Sequence, residues 1–173
     1  MRKFTSYGPI DTELNYYVSR TDLIQKAYIQ LLGENIKKGG HYITVWGPRQ
    51  TGKTGIFQQV LWKLQKDEWF DVLKINLQHL RTAEEPKKVI KVLTEEISDG
   101  LNINLPKFYD WENFQKIFTS QYLNKPLILI LDEFDALKET IINGIADVFR
   151  NIHIIKKDKL EKQENKKKYL LHG

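Results

Sequence analysis

Two short stretches of this chain hold residues whose types and spacing could do chemistry. The first, GPRQTGKT from Gly47 to Thr54, fits the Walker A pattern G-x-x-x-x-G-K-[ST] at Gly47, Gly52, Lys53 and Thr54. It stands between HYITVW, rich in β-branched and aromatic residues, and GIFQQVLWKLQ, whose apolar residues recur with a helical rhythm. In a loop joining strand to helix, glycines let main-chain N–H groups approach and converge on an anion. The helix N-terminus adds unpaired donors and positive partial charge. A nucleoside triphosphate meets these groups well. Lys53 is expected to reach its β- and γ-phosphates and Thr54 to offer a hydroxyl to Mg²⁺. Gly47, Pro48, Arg49, Gln50, Thr51, Gly52 and Gly55 complete the cradle, with Arg49 and Gln50 at the tip, facing a partner or solvent. The competing reading is a plain glycine-rich turn.

The second stretch is LILILDEFD, where an apolar strand ends in Asp132 and Glu133, with Asp135 beyond. Parallel sheets hold ligands at the carboxyl ends of their strands. Asp132 is expected to hold Mg²⁺ through a water, in the Walker B manner. Glu133 is expected to orient and deprotonate the water that attacks the γ-phosphate. Taken alone, DEFD would read as a solvated turn or helix cap, and Asp135 still reads as a cap for the next helix. Glu133 and Lys53 are thus the candidate catalytic pair, and Thr54 and Asp132 the candidate metal ligands.

The elements that must position these residues follow from periodicity and turn signals. TDLIQKAYIQLLGEN reads as a helix capped by Ser19 or Thr21, with Leu23, Ala27, Leu31 and Leu32 on its apolar side. His41 to Trp46 reads as a strand. The helix after the glycine-rich loop runs to Lys66, with Ile56, Phe57, Val60, Leu61 and Leu64 in one stripe. DVLKINL alternates, with Leu73, Ile75 and Leu77 on one side and Val72, Lys74 and Asn76 on the other, which suits a sheet edge. TAEEPKKVIKVLTEEISDG reads as a helix with Pro86 in its first turn and Gly100 just past its end. In DWENFQKIFTSQYL, Asp110 caps a helix that turns Trp111, Phe114, Ile117 and Phe118 inward. LILIL lacks a polar side, so a central strand covered on both faces is expected. ALKETIINGIADVFRNI makes a further helix, residues 156–168 a charged loop, and YLLHG follows. Strands alternating with helices imply an α/β domain with a mostly parallel sheet.

Bulk properties bound the rest. A chain of 173 residues, 41% hydrophobic and 28% charged, suits one soluble globular domain spanning 1–173. No run approaches the roughly 20 apolar residues of a membrane helix. The N-terminal stretch MRKFTSYGPIDTEL has no apolar core of a secretory signal. There is no cysteine, which fits a cytoplasmic protein. The four histidines show no metal-ligand spacing. The net charge of +5 is concentrated in 156–168, where seven lysines face three acidic residues; the remainder carries 20 basic and 19 acidic residues. A nucleic-acid face is therefore confined to that one segment.

Three segments, RKFTSYGPIDTELNYYVSR, GGHYITVWGPRQTGKT and ILILDEFDAL, together resemble the bacterial AAA-like ATPase domain. These are P-loop NTPases of the ASCE branch, related to STAND signalling ATPases and archaeal-type ATPases. The resemblance covers essentially the whole chain; Ser19 stands where the family commonly has proline. It implies ATP and Mg²⁺ as cofactors, a sheet of order 5-1-4-3-2, and Tyr17, Val18 and Arg20 in the adenine pocket. It also implies that YLLHG begins the fourth strand. A polar sensor residue, a fifth strand, a lid and an arginine finger would follow, so the domain is expected to be truncated and Arg150 is not the finger. Relatives act as ATP-gated switches in signalling or defence, often fused to repeat or effector domains.

Three functions remain open on the sequence. One is Mg²⁺-dependent hydrolysis of ATP to ADP by the complete domain. Another is a nucleotide-binding switch that hydrolyses little and recruits protein partners or self-associates. The third is a DNA-associated ATPase working through the lysine-rich segment.

Overall fold

Leu73, Ile75 and Leu77 alternate with Val72, Lys74 and Asn76, and a chain so patterned buries one face of an extended strand. The computed structural model describes residues 3–4, 11, 13–33, 43–45, 47–48 and 51–170, with side chains through Lys159. In it strand β1 runs Asp71–Asn76. Ile75 and the following Leu77 are fully buried, and Leu73 packs against the same apolar cluster. β1 pairs with β2, Leu127–Asp132. The N–H of Leu77 donates to the carbonyl of Asp132 at 2.9 Å, so the carboxyl ends lie side by side and the strands are parallel. The class is α/β, a parallel sheet flanked by helices. The pairing agrees with the order 5-1-4-3-2, in which the second and third strands are neighbours.

The chain forms two units, Met1–Val72 and Leu73–Gly173. In the second, helix α3 (Pro86–Leu101) presents Val89, Ile90, Leu93 and Ile97 at the expected spacing, all buried against Ile75 and Leu77. Each such side chain contributes about 1.5–3 kcal/mol on burial. Pro86 stands at its start, and Asn102, in the left-handed conformation at φ 52°, ends it. Gly100, expected beyond the helix, lies within its last turn, where any Cβ would collide with the side chain of Leu73.

Helix α4 is short, Trp111–Gln115, followed by a 3₁₀ turn through Phe118. Phe114 and Ile117 are buried; Trp111 and Phe118 pack against them half-buried. Edge-to-face contacts run from Trp111 to Phe114 (6.0 Å), on to Phe118 (5.6 Å), and then to Phe149 (5.4 Å). Phe149 belongs to α5, Glu139–Leu170, which buries Ile141, Ile145 and Val148 in the same cluster. The stretch 156–168, expected as a loop, continues α5. No glycine or proline follows Gly144 before Gly173, and Asp158–Lys162 and Glu164–Lys168 have the i,i+4 spacing that supports a helix. Tyr169 and Leu170, expected to open a fourth strand, are the last helical residues; 171–173 lie outside the described residues.

In the first unit, α1 (Thr21–Leu32) packs against α2 (Lys53–Leu64). The stripe Ile56, Val60, Leu61 and Leu64 is buried. On α1 the buried residue is Ile24, while Leu23 is exposed. Arg20 holds the N-cap position without a side-chain bond, and Ser19 and Thr21 hydrogen-bond each other at 3.0 Å. Of the strand expected at His41 to Trp46, Ile43, Thr44 and Val45 are described and carry no strand ladder among the described residues. β2, expected to be enclosed on both faces, has Ile130 and Asp132 as its buried positions and is half-buried at the others. No helix among the described residues is long and apolar enough to cross a membrane.

Two outcomes test this packing. A Cβ at Gly144 would lie 2.5 Å from Cε2 and Nε1 of Trp111. Gly144→Val should therefore destabilise the protein by about 1–3 kcal/mol through overpacking, read by urea denaturation. The Asp110 carboxylate accepts from the backbone N–H and the side-chain amide of Asn113, both at 2.8 Å, which lowers its pKa below the ordinary 3.8. A depressed carboxyl stabilises fully above its unfolded value and loses that contribution as pH falls through the folded one. Asp110→Ala should lower the melting temperature near neutral pH, and the gap from the parent should close in acid.

Candidate functional site

Gly52 is the N-cap of α2 and holds φ +79° and ψ 21°, left-handed geometry that glycine adopts without a Cβ penalty. The chain thus turns sharply out of the loop and into the helix. Around that turn the loop closes on itself. Lys53 Nζ donates to the carbonyls of Gly47 (2.5 Å) and Pro48 (3.0 Å), and the Thr51 hydroxyl donates to Pro48 O at 2.8 Å. A Cβ at Gly47 would stand 3.2 Å from Thr51 Oγ1, so glycine allows this close approach. Gly47, Pro48, Thr51, Gly52 and Lys53 are brought together as one loop. Thr54 follows in the first turn of α2 with its side chain exposed. Gly55 has open space where a side chain would stand. Arg49 and Gln50 lie outside the described residues.

Of the residues read by resemblance as an adenine pocket, Arg20 comes to the loop. Its guanidinium carbon would lie 3.9 Å from a Cβ at Gly52. Tyr17 is half-buried, whereas Val18 is 87% exposed.

In the second unit, Asp132 is the last residue of β2 and only 7% exposed. Its Oδ2 lies 2.9 Å from Lys74 Nζ on β1, and its Oδ1 accepts the N–H of Glu133 at 3.1 Å. A buried carboxylate is costly unless paired, and Lys74 is the pairing cation. The alternation had assigned Lys74 only to the polar side of β1. The overlooked signal is that in a parallel pair Lys74 and Asp132 fall on the same face, opposite Leu73, Ile75 and Leu77.

Glu133 is exposed and left-handed at φ 57°, an uncommon conformation for a residue with a Cβ. It opens a 3₁₀ turn, Phe134–Ala136. Asp135 sits in that turn instead of capping α5; Lys138 occupies the cap position, its carbonyl accepting from the N–H groups of Ile141 and Ile142. Asn76 Oδ1 accepts the N–H of Gln78 at 2.9 Å, and His79 faces Glu96 at 3.4 Å, so these three serve the turn after β1. Among the described residues no group of three or more His, Asp or Glu side chains converges as a metal cage. A hard cation would have to complete its shell with water and ligand oxygens, as Mg²⁺ commonly does.

A family model described as an AAA-like domain matches residues 5–168, running through both units. No curated protein and no solved structure gives a match.

Gly52 at the end of the loop and Gly55 in the first turn of α2 should respond oppositely to alanine. Gly52→Ala should cost about 1–2 kcal/mol, because its left-handed φ strains any L side chain. Gly55→Ala should be neutral or stabilising by up to about 1 kcal/mol, since the helix gains propensity and the space is open. Chemical denaturation of the two variants decides it.

Proposed function

The chain belongs to the AAA-like domain family, a group of nucleotide-binding, ATPase-like modules, and from that premise we propose that it binds ATP with Mg²⁺. The observation that carries the reading is the loop itself. A left-handed glycine launches α2, and the Lys53 ammonium bridges the carbonyls of Gly47 and Pro48. An ammonium held against the loop main chain, at the start of a 12-residue helix whose first N–H groups lack intrahelical partners, supports a triphosphate site.

In this reading, main-chain N–H groups of the loop from Gly47 to Thr54, Pro48 excepted, hold the phosphates and Gly55 continues the helix behind them. Lys53 exchanges its carbonyl partners for β- and γ-phosphate oxygens. Arg49 and Gln50 flank the loop, and Tyr17, Val18 and Arg20 serve the base and sugar side. Thr54 and Asp132 hold Mg²⁺, which when bound neutralises phosphate charge. The fit of Asp132 rests on its buried carboxylate already accommodating a cation, Lys74. Glu133, exposed beside it, orients the attacking water and takes its proton. We extend the reading to hydrolysis of ATP to ADP, in the cytoplasm, by a signalling or defence ATPase with protein partners or copies of itself.

Lys53→Ala should weaken ATP binding by roughly a hundredfold, the loss of a charge-assisted contact, in calorimetric titration with Mg²⁺. Glu133→Gln should keep affinity and slow single-turnover hydrolysis by about 10²–10⁴-fold. Unchanged binding in the first variant would remove the phosphate loop from the reading; undiminished turnover in the second would remove the base.

A further inference from the structure

We infer that Lys74 is a positioning residue for the metal site, a built-in counter-ion that holds Asp132 before the divalent cation arrives and must yield when it binds. The inference rests on the proposal that Asp132 is a Mg²⁺ ligand. It starts from the geometry of the pair. Lys74 and Asp132 stand on adjacent parallel strands, 2.9 Å apart, with side chains 19% and 9% exposed. The other carboxylate oxygen accepts the N–H of Glu133, and the backbone carbonyl accepts from Leu77. Asp132 is therefore fixed at three atoms, two of them by main-chain donors that a metal need not disturb. The Lys74 contact alone competes with a cation for the carboxylate.

A structural role would be satisfied by the pair as it stands: paired buried charges are tolerated, and truncating one partner leaves the other uncompensated. The chemistry separates this from a competing role. An ammonium and Mg²⁺ seek the same anionic oxygens, and two cations close together repel. Lys74 therefore weakens metal binding while keeping the carboxylate aimed. Other nearby lysines lack this position; Lys138, for instance, pairs with exposed Glu84 at 3.0 Å.

The test uses the full chain with ATP and Mn²⁺ as a spectroscopic substitute for Mg²⁺, free Mn²⁺ being read by electron paramagnetic resonance. Lys74→Met should tighten Mn²⁺ binding about tenfold, and Lys74→Arg, which keeps the charge and grips a carboxylate with two N–H groups, should weaken it at least threefold. Lys138→Met should leave it unchanged. Metal affinity that is unaltered or lower in Lys74→Met overturns the inference. Should that variant fail to fold, Lys74→Arg decides alone, and unaltered or tighter binding there overturns it. Asp132→Asn separates the two levels. If it leaves Mn²⁺ affinity at the parent value, or if the parent binds no ATP, the functional reading falls and takes the inference with it. If Asp132→Asn weakens the metal but the Lys74 variants do not move it as stated, only the counter-ion role falls.

Discussion

A strand holds its shape only through the neighbour that satisfies its N–H and C=O groups, and this constraint governs the described sheet. β1 and β2 satisfy one another along one edge, and α3 and α5 cover the face made by Ile75, Leu77, Leu129 and Leu131. That single ladder sets the register of everything chemical in the second unit. Because Leu77 N–H meets the Asp132 carbonyl, Asp132 arrives at the strand end with Lys74 on the same face. A slip of one residue in either strand would turn that strand's member of the pair to the core side and part the two. The apolar face of the sheet thus sets the position of a charge pair on the other face.

Much of this was legible because periodicity and burial agree. The stripe on α2, the alternation of β1, the helix α3 with Pro86 in its first turn and the Asp110 cap all follow from local spacing and capping signals. The glycine-rich loop led into a helix as its wording indicated, while the left-handed turn at Gly52 was not read from it. What was not legible depends on partners distant in sequence. Gly100 looks like a helix stop until Leu73 is seen to need its missing side chain. LILIL looks enclosed until the number of its neighbours is known. Lys74 looks solvated until the parallel register brings it to Asp132. The lysine run misled differently: its composition suggested a loop, while its i,i+4 charge spacing favoured a helix.

Two lysines of the candidate site regions, Lys53 and Lys74, have internal partners. Lys53 is engaged by carbonyls of its own loop and Lys74 by a carboxylate across one strand pair. Neither cation waits as a bare charge, so the affinity of any anion or metal is the difference between two occupied states. Such exchange favours selectivity over strength, because a ligand that satisfies only one of the displaced groups gains little.

Helix α5 carries a last consequence. Its 32 residues extend about 48 Å at 1.5 Å each, yet the buried positions end at Val148, and every side chain from His153 to Lys159 is exposed. Starting a helix is the unfavourable step, and the anchored turns have already taken it; the outer turns need only propagate from that seed. Their helix content is accordingly graded by salt and temperature, turn by turn.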